Sequence, residues 1–467
     1  MSEIVNLAVV GGGAAGLAAA IFAARRAAEL GLRRQIVVLD GARSPGAKIL
    51  ISGGGRCNIT HDRVGFSDYN GSKIIVRNIL AGFDVPATIA WFESLGVQLK
   101  REEGGKLFPV GDSASQVVSA LLRRCAQLDV RILASHRVHE LTVGSPFTIR
   151  HEKGLLRAGR VIMATGGRSL PKTGSDGEGW AILRRLGHTV GPTYPALVPL
   201  LLDRSFFHAG VSGASVDVQL STFSDGKLID RRQGSLLWTH FGISGPLVLD
   251  ASRHWIIARA EGHAVDMRCS FFGATPSGQV ERLLVNAAES QSRQSVAHII
   301  ARHLPQRLAV ALLRYAGIDP ELSVSQLTRD LRRRLTIILT DLPLPVVGDR
   351  GWNYAEVTAG GVSLSEINYR SMESRKVPGL YLVGEMLDCD GRIGGFNFQW
   401  AWSTGYLAGV ASVSSCAAIR GSLASPAEAR AFSAPGECRA ASAPAYGPEV
   451  WPSRSASPPL PSPGIER

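Results

Sequence analysis

The sequence predicts an α/β fold in which both ends of the chain build one parallel sheet, interrupted by an antiparallel β insertion that itself carries a helical piece. Three observations carry this reading. The first forty residues run apolar strand, glycine turn, Ala-rich helix, apolar strand; between residues 194 and 336 the pattern turns to short alternating runs and then to helical periodicity; and an apolar run of the first type returns at Gly379 to Gly384.

The elements follow in order. Leu7 to Val10 is a short apolar run, Gly11 to Gly16 a glycine turn, Leu17 to Leu30 a helix, and Gln35 to Asp40 a second strand. Strands apolar on both faces belong in a parallel sheet covered by helices. The uncharged stretch from Leu7 to Ala24 has the length of a membrane span. It lacks a basic flank, however, and four glycines interrupt it, so strand, turn and helix explain it better than a span or a signal segment. The cytosol is the expected compartment, with no membrane partner.

Residues 113–128 have a helical apolar face; Val130 to Val143 and Phe147 to Arg150 read as strands; Arg160 to Met163 ends a buried one. From Tyr194 to Phe272, short alternating runs with Gly, Asp and Ser punctuation favour an antiparallel barrel or sandwich. Residues 277–336 have helical spacing, and Leu335 to Val347 again looks strand-like. The expected divisions are 1–193 with 348–415 for the parallel-sheet domain, 194–275 with 337–347 for the β insertion, 276–336 for the helical piece, and 416–467 for a disordered tail rich in Ala, Ser and Pro.

The chain has 467 residues, 51 basic and 39 acidic, for a net charge of +12. That excess suits nucleic acid, acidic lipid or phosphorylated small molecules, and equally an Arg-rich solvated surface. Arg329 and Arg332 to Arg334 form the densest basic run on a predicted helix, and a solvated face is the favoured reading. The six cysteines include no C-x-x-C pair and no zinc-type spacing, so a disulfide framework, a structural metal and a dithiol relay are disfavoured.

The chemistry begins at Gly11-x-Gly13-x-x-Gly16, which follows a strand, opens a helix and is trailed 24 residues later by Asp40 at the end of the next strand. The first glycine permits the tight turn, the second lets the backbone approach a pyrophosphate, and the third allows close packing of helix on sheet. Ala14 and Ala15 place their N–H groups at the phosphates, and Asp40 would bond ribose hydroxyls. This context indicates a dinucleotide without choosing between NAD and FAD. Further motifs choose FAD. Val161 to Gly166 is a strand ending Ala164-Thr165-Gly166, and Leu380 to Glu385 is a strand ending Gly384-Glu385, as in flavoproteins of the glutathione-reductase type, although those usually end Gly-Asp. A second glycine turn with Asp390, Gly394, Gly395, Phe396 and Asn397 opens another helix, whose positive end could stabilise charge on a reduced flavin.

Lys48 to Asn58 (KILISGGGRCN), Thr239 to Pro246, Glu356 to Val362, Met372 to Arg375 and Gly384 to Gly391 resemble the BaiN/YhiN family of bacterial FAD-dependent oxidoreductases, over about residues 5–412. The resemblance implies a split Rossmann-like FAD-binding domain of the glutathione-reductase type with an inserted antiparallel β-barrel and a nested helical subdomain. It also implies non-covalent FAD, with NAD(P)H as a transient electron donor. Ser52, Gly53, Gly54, Gly55, Arg56, Cys57 and Asn58, with Lys48, are expected along the FAD pyrophosphate and ribityl chain, and Val138 is placed with them. Three glycines expose backbone N–H groups as an anion nest, while Cys57 reads as a packed small residue. His240, in the loop expected to face the flavin, is the candidate proton donor. The sequence shows no second glycine fingerprint for a separate nicotinamide domain.

The functional expectation is hydride transfer from NAD(P)H through flavin N5 to an electron-poor, unsaturated small molecule. A flavin oxidase using O2, an RNA-associated or tRNA-modifying flavoprotein, and a flavin-bound scaffold without turnover are the alternatives.

Overall fold

The computed structural model describes residues 4–290 and 293–414; the tail expected from residue 416 lies outside them. The apolar runs become strands: β1 (Ile4–Val10), β2 (Ile36–Leu39), β3 (Arg131–Leu133), β4 (Gly154–Met163) and β5 (Leu380–Leu382). All five are parallel, in the order β5-β4-β1-β2-β3. Antiparallel strands Ile367–Asn368 and Glu373–Ser374 extend the sheet beyond β5, while Phe147–His151 pairs antiparallel with the early half of β4 and Val138–Thr142 pairs in turn with Phe147–His151. Register matters more than strand count. Val10 pairs with Leu39 and Met163, Leu39 with Leu133, and Met163 with Leu382, so all five strands end on one line. In an open parallel sheet, that carboxyl edge is where ligands bind.

Helix α1 (Ala14–Glu29) links β1 to β2, and α2 (Phe396–Ser414) comes from the far end of the described chain. The two pack at backbone contact. A Cβ on Gly405 would lie 2.7 Å from the Ala15 carbonyl oxygen, and one on Gly409 would lie 2.5 Å from that of Ala19. Small residues are therefore required on both faces, and α1 supplies alanines. α2 is apolar all round because it is buried almost all round. The apolar stretch Lys73–Ser94 has the length and composition of a membrane span. It forms two helices, Lys73–Gly82 and Val85–Ser94, broken where Asp84 caps the second by accepting from the Ala87 N–H at 2.9 Å.

The chain leaves the first region along Tyr194–Ala196 and returns along Val357–Ala359, paired antiparallel as a two-stranded stem. Between these strands lies a seven-stranded antiparallel sheet, in the order Leu342–Leu344, Val265–Ser270, Ser215–Ser224, Lys227–Thr239, Gly242–Ser244, Leu200–Leu202, Val346–Asp349. Its two outer strands are consecutive in the chain with Pro345 alone between them, so the sheet curls on itself. One hydrophobic core gathers residues from Val5 to Leu183 and from Val362 to Val413; a second runs from Val198 to Ala355.

Two expectations are corrected here. Leu335 to Asp341 is not strand: helix Arg329–Asp341 runs through it, capped by Thr328, with Leu335, Ile338 and Leu339 buried at helical spacing. Of the segment expected as strand, Leu342–Leu344 and Val346–Asp349 form strands, and the latter continues past residue 347. Within the region read as all β, Pro246–Ala260 is a helix that packs on strands Ser215–Ser224 and Lys227–Thr239. Its apolar residues point both into the second core and toward the stem, so they show no single stripe from which a helix could be read.

Gly409→Ala should destabilise the protein by about 1–3 kcal/mol, the usual cost of overpacking a close contact, seen as a lower thermal midpoint. An unchanged midpoint would contradict the backbone contact between α1 and α2.

Candidate functional site

The carboxyl edge of the parallel sheet opens into a cavity of about 700 Å3. Small-molecule and cofactor sites span roughly 300–1,000 Å3. Its first wall is the glycine turn. Gly11 has φ +108°, and a Cβ there would lie 2.3 Å from the Ala164 carbonyl oxygen; one on Gly16 would lie 1.9 Å from the Gly11 carbonyl oxygen. These two glycines are required by packing. Gly13 differs: it has ordinary extended backbone (φ −81°), and among the described residues no atom beyond its chain neighbours and its own helix lies within 4 Å of a Cβ built on it. It borders the cavity at the N-terminus of α1, where no side chain caps the helix. The first-turn N–H groups are left to a ligand, with the positive end of the helix dipole behind them.

Asp40, at the end of β2, accepts from the Gly12 N–H at 2.6 Å and the Ala42 N–H at 2.7 Å, one on each oxygen. Burial raises its pKa above the ordinary carboxylate value, and these two N–H groups oppose the rise. Each oxygen keeps a lone pair for a further donor. Beside it, Val138 lines the same end, and Arg137 is paired with Asp176 and Glu178.

Gly53, Gly54 and Gly55 all have left-handed backbone (φ +55°, +68° and +85°), which is why glycines occupy the run. Gly53 and Gly54 line the cavity with Ser52; Gly55 does not. The nearby charges are satisfied within the protein. Arg56 bonds Glu102 at 2.7 Å and covers the Phe108 ring at 4.1 Å. Lys48 lies 2.5 Å from both Glu385 and Ser169, while Glu385 also accepts from the Ser169 hydroxyl (2.8 Å) and the Thr358 N–H (2.9 Å). Among the described residues, three buried polar atoms bordering the cavity have no hydrogen-bond partner: Asn58 Oδ1, Thr165 Oγ1 and Ser175 Oγ. Buried groups of this kind are usually satisfied, and these three fit a polar ligand in the cavity.

At the other end stands the N-terminus of α2. Gly394 and Gly395 turn with φ +116° and +96°, and Asn397 locks the turn through the Gly391 N–H (2.8 Å) and carbonyl (2.9 Å). The cavity thus brings together Gly11, Gly13, Ala14, Ala15, Asp40, Lys48, Ser52, Gly53, Gly54, Arg56, Asn58, Val138, Ala164, Thr165, Gly166, Gly384, Glu385, Gly394, Gly395 and Asn397.

Six expected residues do not line it. Gly16 and Gly55 shape its walls from behind. Cys57 is fully buried with its thiol pKa pushed up to about 12 by that burial, against a counteracting Ser52 hydrogen bond, and is no nucleophile. Phe396 is buried, its ring stacked on His61 at 4.9 Å and its carbonyl accepting from the Tyr69 hydroxyl at 2.7 Å. Asp390 is a correction: its carboxylate is committed to Arg253 (2.9 Å) of helix Pro246–Ala260 and to Asn70 (2.9 Å). His240 is a second correction. It sits exposed on the turn between strands Lys227–Thr239 and Gly242–Ser244, outside the cavity lining.

Conversely, Lys106, Phe108, Ser175, Tyr354 and Glu356 line the cavity and were not expected there. Glu356 stood inside a recognised motif, Glu356 to Val362, so a signal existed; the others carry none. Its carboxyl pKa is raised by the surrounding protein, with Lys48 and Lys106 opposing the rise and Asp250 adding to it.

A family model described as HI0933-like protein Rossmann domain matches residues 5–411. A 3-dehydro-bile acid delta(4,6)-reductase of Clostridium scindens is 34% identical over 409 residues, covering 87% of this chain and 98% of that protein. A ribosomal RNA dihydrouridine synthase of Escherichia coli is 34% identical over 400 residues, covering 85% and 95%. A protein of the same description from Haemophilus influenzae is 32% identical over 413 residues, covering 87% and 98%. The chain belongs to the HI0933-like Rossmann family, in agreement with the resemblance drawn from its motifs.

Because Gly13 is bounded by open space and has unstrained backbone, Gly13→Ala should leave the thermal midpoint of the apoprotein nearly unchanged, within about 0.5 kcal/mol, while weakening FAD binding at least tenfold. Gly11→Ala and Gly16→Ala should lower the midpoint. Equal destabilisation by all three would contradict this division of roles.

Proposed function

We propose that this member of the HI0933-like family is an FAD-dependent reductase that saturates a carbon–carbon double bond conjugated to a carbonyl, drawing electrons from NAD(P)H. The observation that carries the cofactor assignment is the pair of helix N-termini, α1 at Gly13 and α2 at Gly394–Gly395, facing one cavity with three unpartnered buried polar atoms between the walls. A dinucleotide carrying a flavin suits that span: pyrophosphate against α1, adenosine ribose toward Asp40, and the flavin ring toward α2. When bound, FAD supplies hydride transfer between donor and acceptor.

The chain's own part is binding, orientation and proton delivery. Asp40 and the first turn of α1 hold the nucleotide; Asn58, Thr165 and Ser175 gain partners; the Lys48–Glu385 pair and Ser169 fix the middle of the wall. The absence of a second glycine fingerprint leaves the nicotinamide donor to dock transiently. The inserted, curled sheet is read as the barrel that closes the cavity over the acceptor. Support for the acceptor chemistry comes from the relatives, whose names, a delta(4,6)-reductase and a dihydrouridine synthase, both describe saturation of a conjugated double bond.

A second reading keeps the chemistry and changes the acceptor to a uracil base in RNA. It is favoured by the net charge of +12 and by arginine–aromatic stacks near the cavity: Arg350 over Tyr354 (3.5 Å) and Phe241 (4.3 Å), and Arg168 over Trp352 (5.1 Å). Such pairs offer both phosphate and base contacts.

The test is anaerobic. The yellow protein should be bleached by NADPH or NADH and recover its colour on adding a 3-oxo-4-ene steroid or a uridine-containing ribosomal RNA. Recovery with RNA that weakens steeply with salt selects the second reading. A protein that holds no FAD, or that neither nicotinamide bleaches, contradicts the proposal.

A further inference from the structure

We infer that Glu356 is the acid that protonates the acceptor carbon during reduction. The inference rests on the reading above, a reductase of conjugated double bonds, and names the residue that completes it.

Glu356 stands where the chain returns from the insertion, immediately before stem strand Val357–Ala359. Its backbone is held through its N–H, which donates to the Leu197 carbonyl at 3.2 Å, and its own carbonyl lies 3.2 Å from the Ser169 hydroxyl, whose proton goes to the nearer Glu385. The backbone is anchored, and the side chain is left over. Its carboxylate makes no hydrogen bond or ion pair among the described residues, and it opens into the cavity. Other acidic side chains lining that cavity are engaged: Asp40 with two backbone N–H groups, Glu385 with Lys48, Ser169 and Thr358, and Asp176 and Glu178 with Arg137.

Position along the cavity points the same way. Asp40 and Arg137 mark one end. Glu356 feels the charges of Lys48, Lys106 and Asp250. Asp250 accepts from the Ile393 N–H at 2.7 Å, in the turn that opens α2, and a Cβ on Gly394 would meet the Lys106 side chain at 3.5 Å. Val357, next in the chain, packs in one apolar cluster with Ile393 of that turn, so Glu356 stands toward the α2 end, where the flavin ring is assigned. Glu356 is exposed, its side chain standing in the open cavity rather than in packed protein; Lys48 and Lys106 favour its carboxylate, Asp250 and the enclosing walls favour its neutral acid, and the balance raises its pKa.

Saturation adds a hydride to one carbon of the double bond and a proton to the carbon next to the carbonyl. The hydride's electron pair comes from NAD(P)H, which is oxidised to NAD(P)+. The carboxyl O–H of Glu356 breaks as the new C–H bond forms, leaving a carboxylate that water reprotonates. General acids of this kind contribute about 10²–10⁴-fold.

The test compares wild type, Glu356→Gln and Glu356→Asp, each loaded with FAD and reduced anaerobically. Two kinds of acceptor are supplied: ferricyanide, which takes electrons without a proton on carbon, and the 3-oxo-4-ene steroid or ribosomal RNA. With the carbon acceptor, the Gln variant should be slowed about a hundredfold or more and Asp should recover part of the rate; with ferricyanide, all three should be alike. The wild-type rate should fall as pH rises through the pKa of the acid, above the ordinary carboxylate range, and that fall should be missing in the Gln variant. A Gln variant as fast as wild type on carbon, or equally slow on both acceptors, overturns the assignment to Glu356. If wild type itself reduces no carbon acceptor, the proposed reductase function fails, and this inference with it.

Discussion

The backbone contact between α1 and α2 is the constraint on which the site depends. Helices that meet through Gly405 and Gly409 against Ala15 and Ala19 come far closer than helices separated by larger side chains. Their N-termini thereby become two fixed points on one cavity, although one lies at residue 14 and the other at residue 396. α2 then distributes that position to the rest of the wall. Trp400 donates to the Gly384 carbonyl (3.1 Å), Thr404 accepts from the Gly384 N–H (3.0 Å), Trp402 donates to Ile59 (2.9 Å), and Gln399 accepts from Thr60 (2.7 Å). Each of these bonds is buried, where an unmade partner costs about 1–3 kcal/mol.

Charge in the cavity follows a related logic. The lysines and arginines expected to meet phosphate are largely paired inside the protein, Lys48 with Glu385 and Arg56 with Glu102. In the proposed site, anion recognition would rest mainly on backbone N–H groups and helix dipoles, which are fixed in place and need no side-chain ordering. The insertion is tied to this frame by a charged seam, with Asp390 on Arg253 and Asp250 on Arg392 and the Ile393 N–H. A carboxylate from helix Pro246–Ala260 thereby helps hold the turn that opens α2.

Local pattern made much of this legible. The βαβ unit is written in one unbroken run from Leu7 to Asp40, the Ala-Thr-Gly and Gly-Glu strand ends and the glycine turn before α2 are short local motifs, and the structure brings them to one edge. What escaped depends on distant partners. Asp390 meets Arg253 across 137 positions, so nothing beside it in the sequence marks it as a structural ion. His240 had the chemistry of a proton donor but lies exposed on the turn between strands Lys227–Thr239 and Gly242–Ser244. Helix Pro246–Ala260 was missed because it is buried on more than one side and has no polar stripe, and Glu356 because its lack of a partner is visible only once every neighbour is placed.

The most direct measurement of the central claim is a crystal structure of the protein loaded with FAD. The pyrophosphate is predicted against the first turn of α1 beside Gly13, the adenosine ribose at Asp40, and the flavin ring at Gly394–Gly395 within reach of Glu356. A cofactor lying the other way round, or a nicotinamide nucleotide in place of FAD at Gly13, would contradict it.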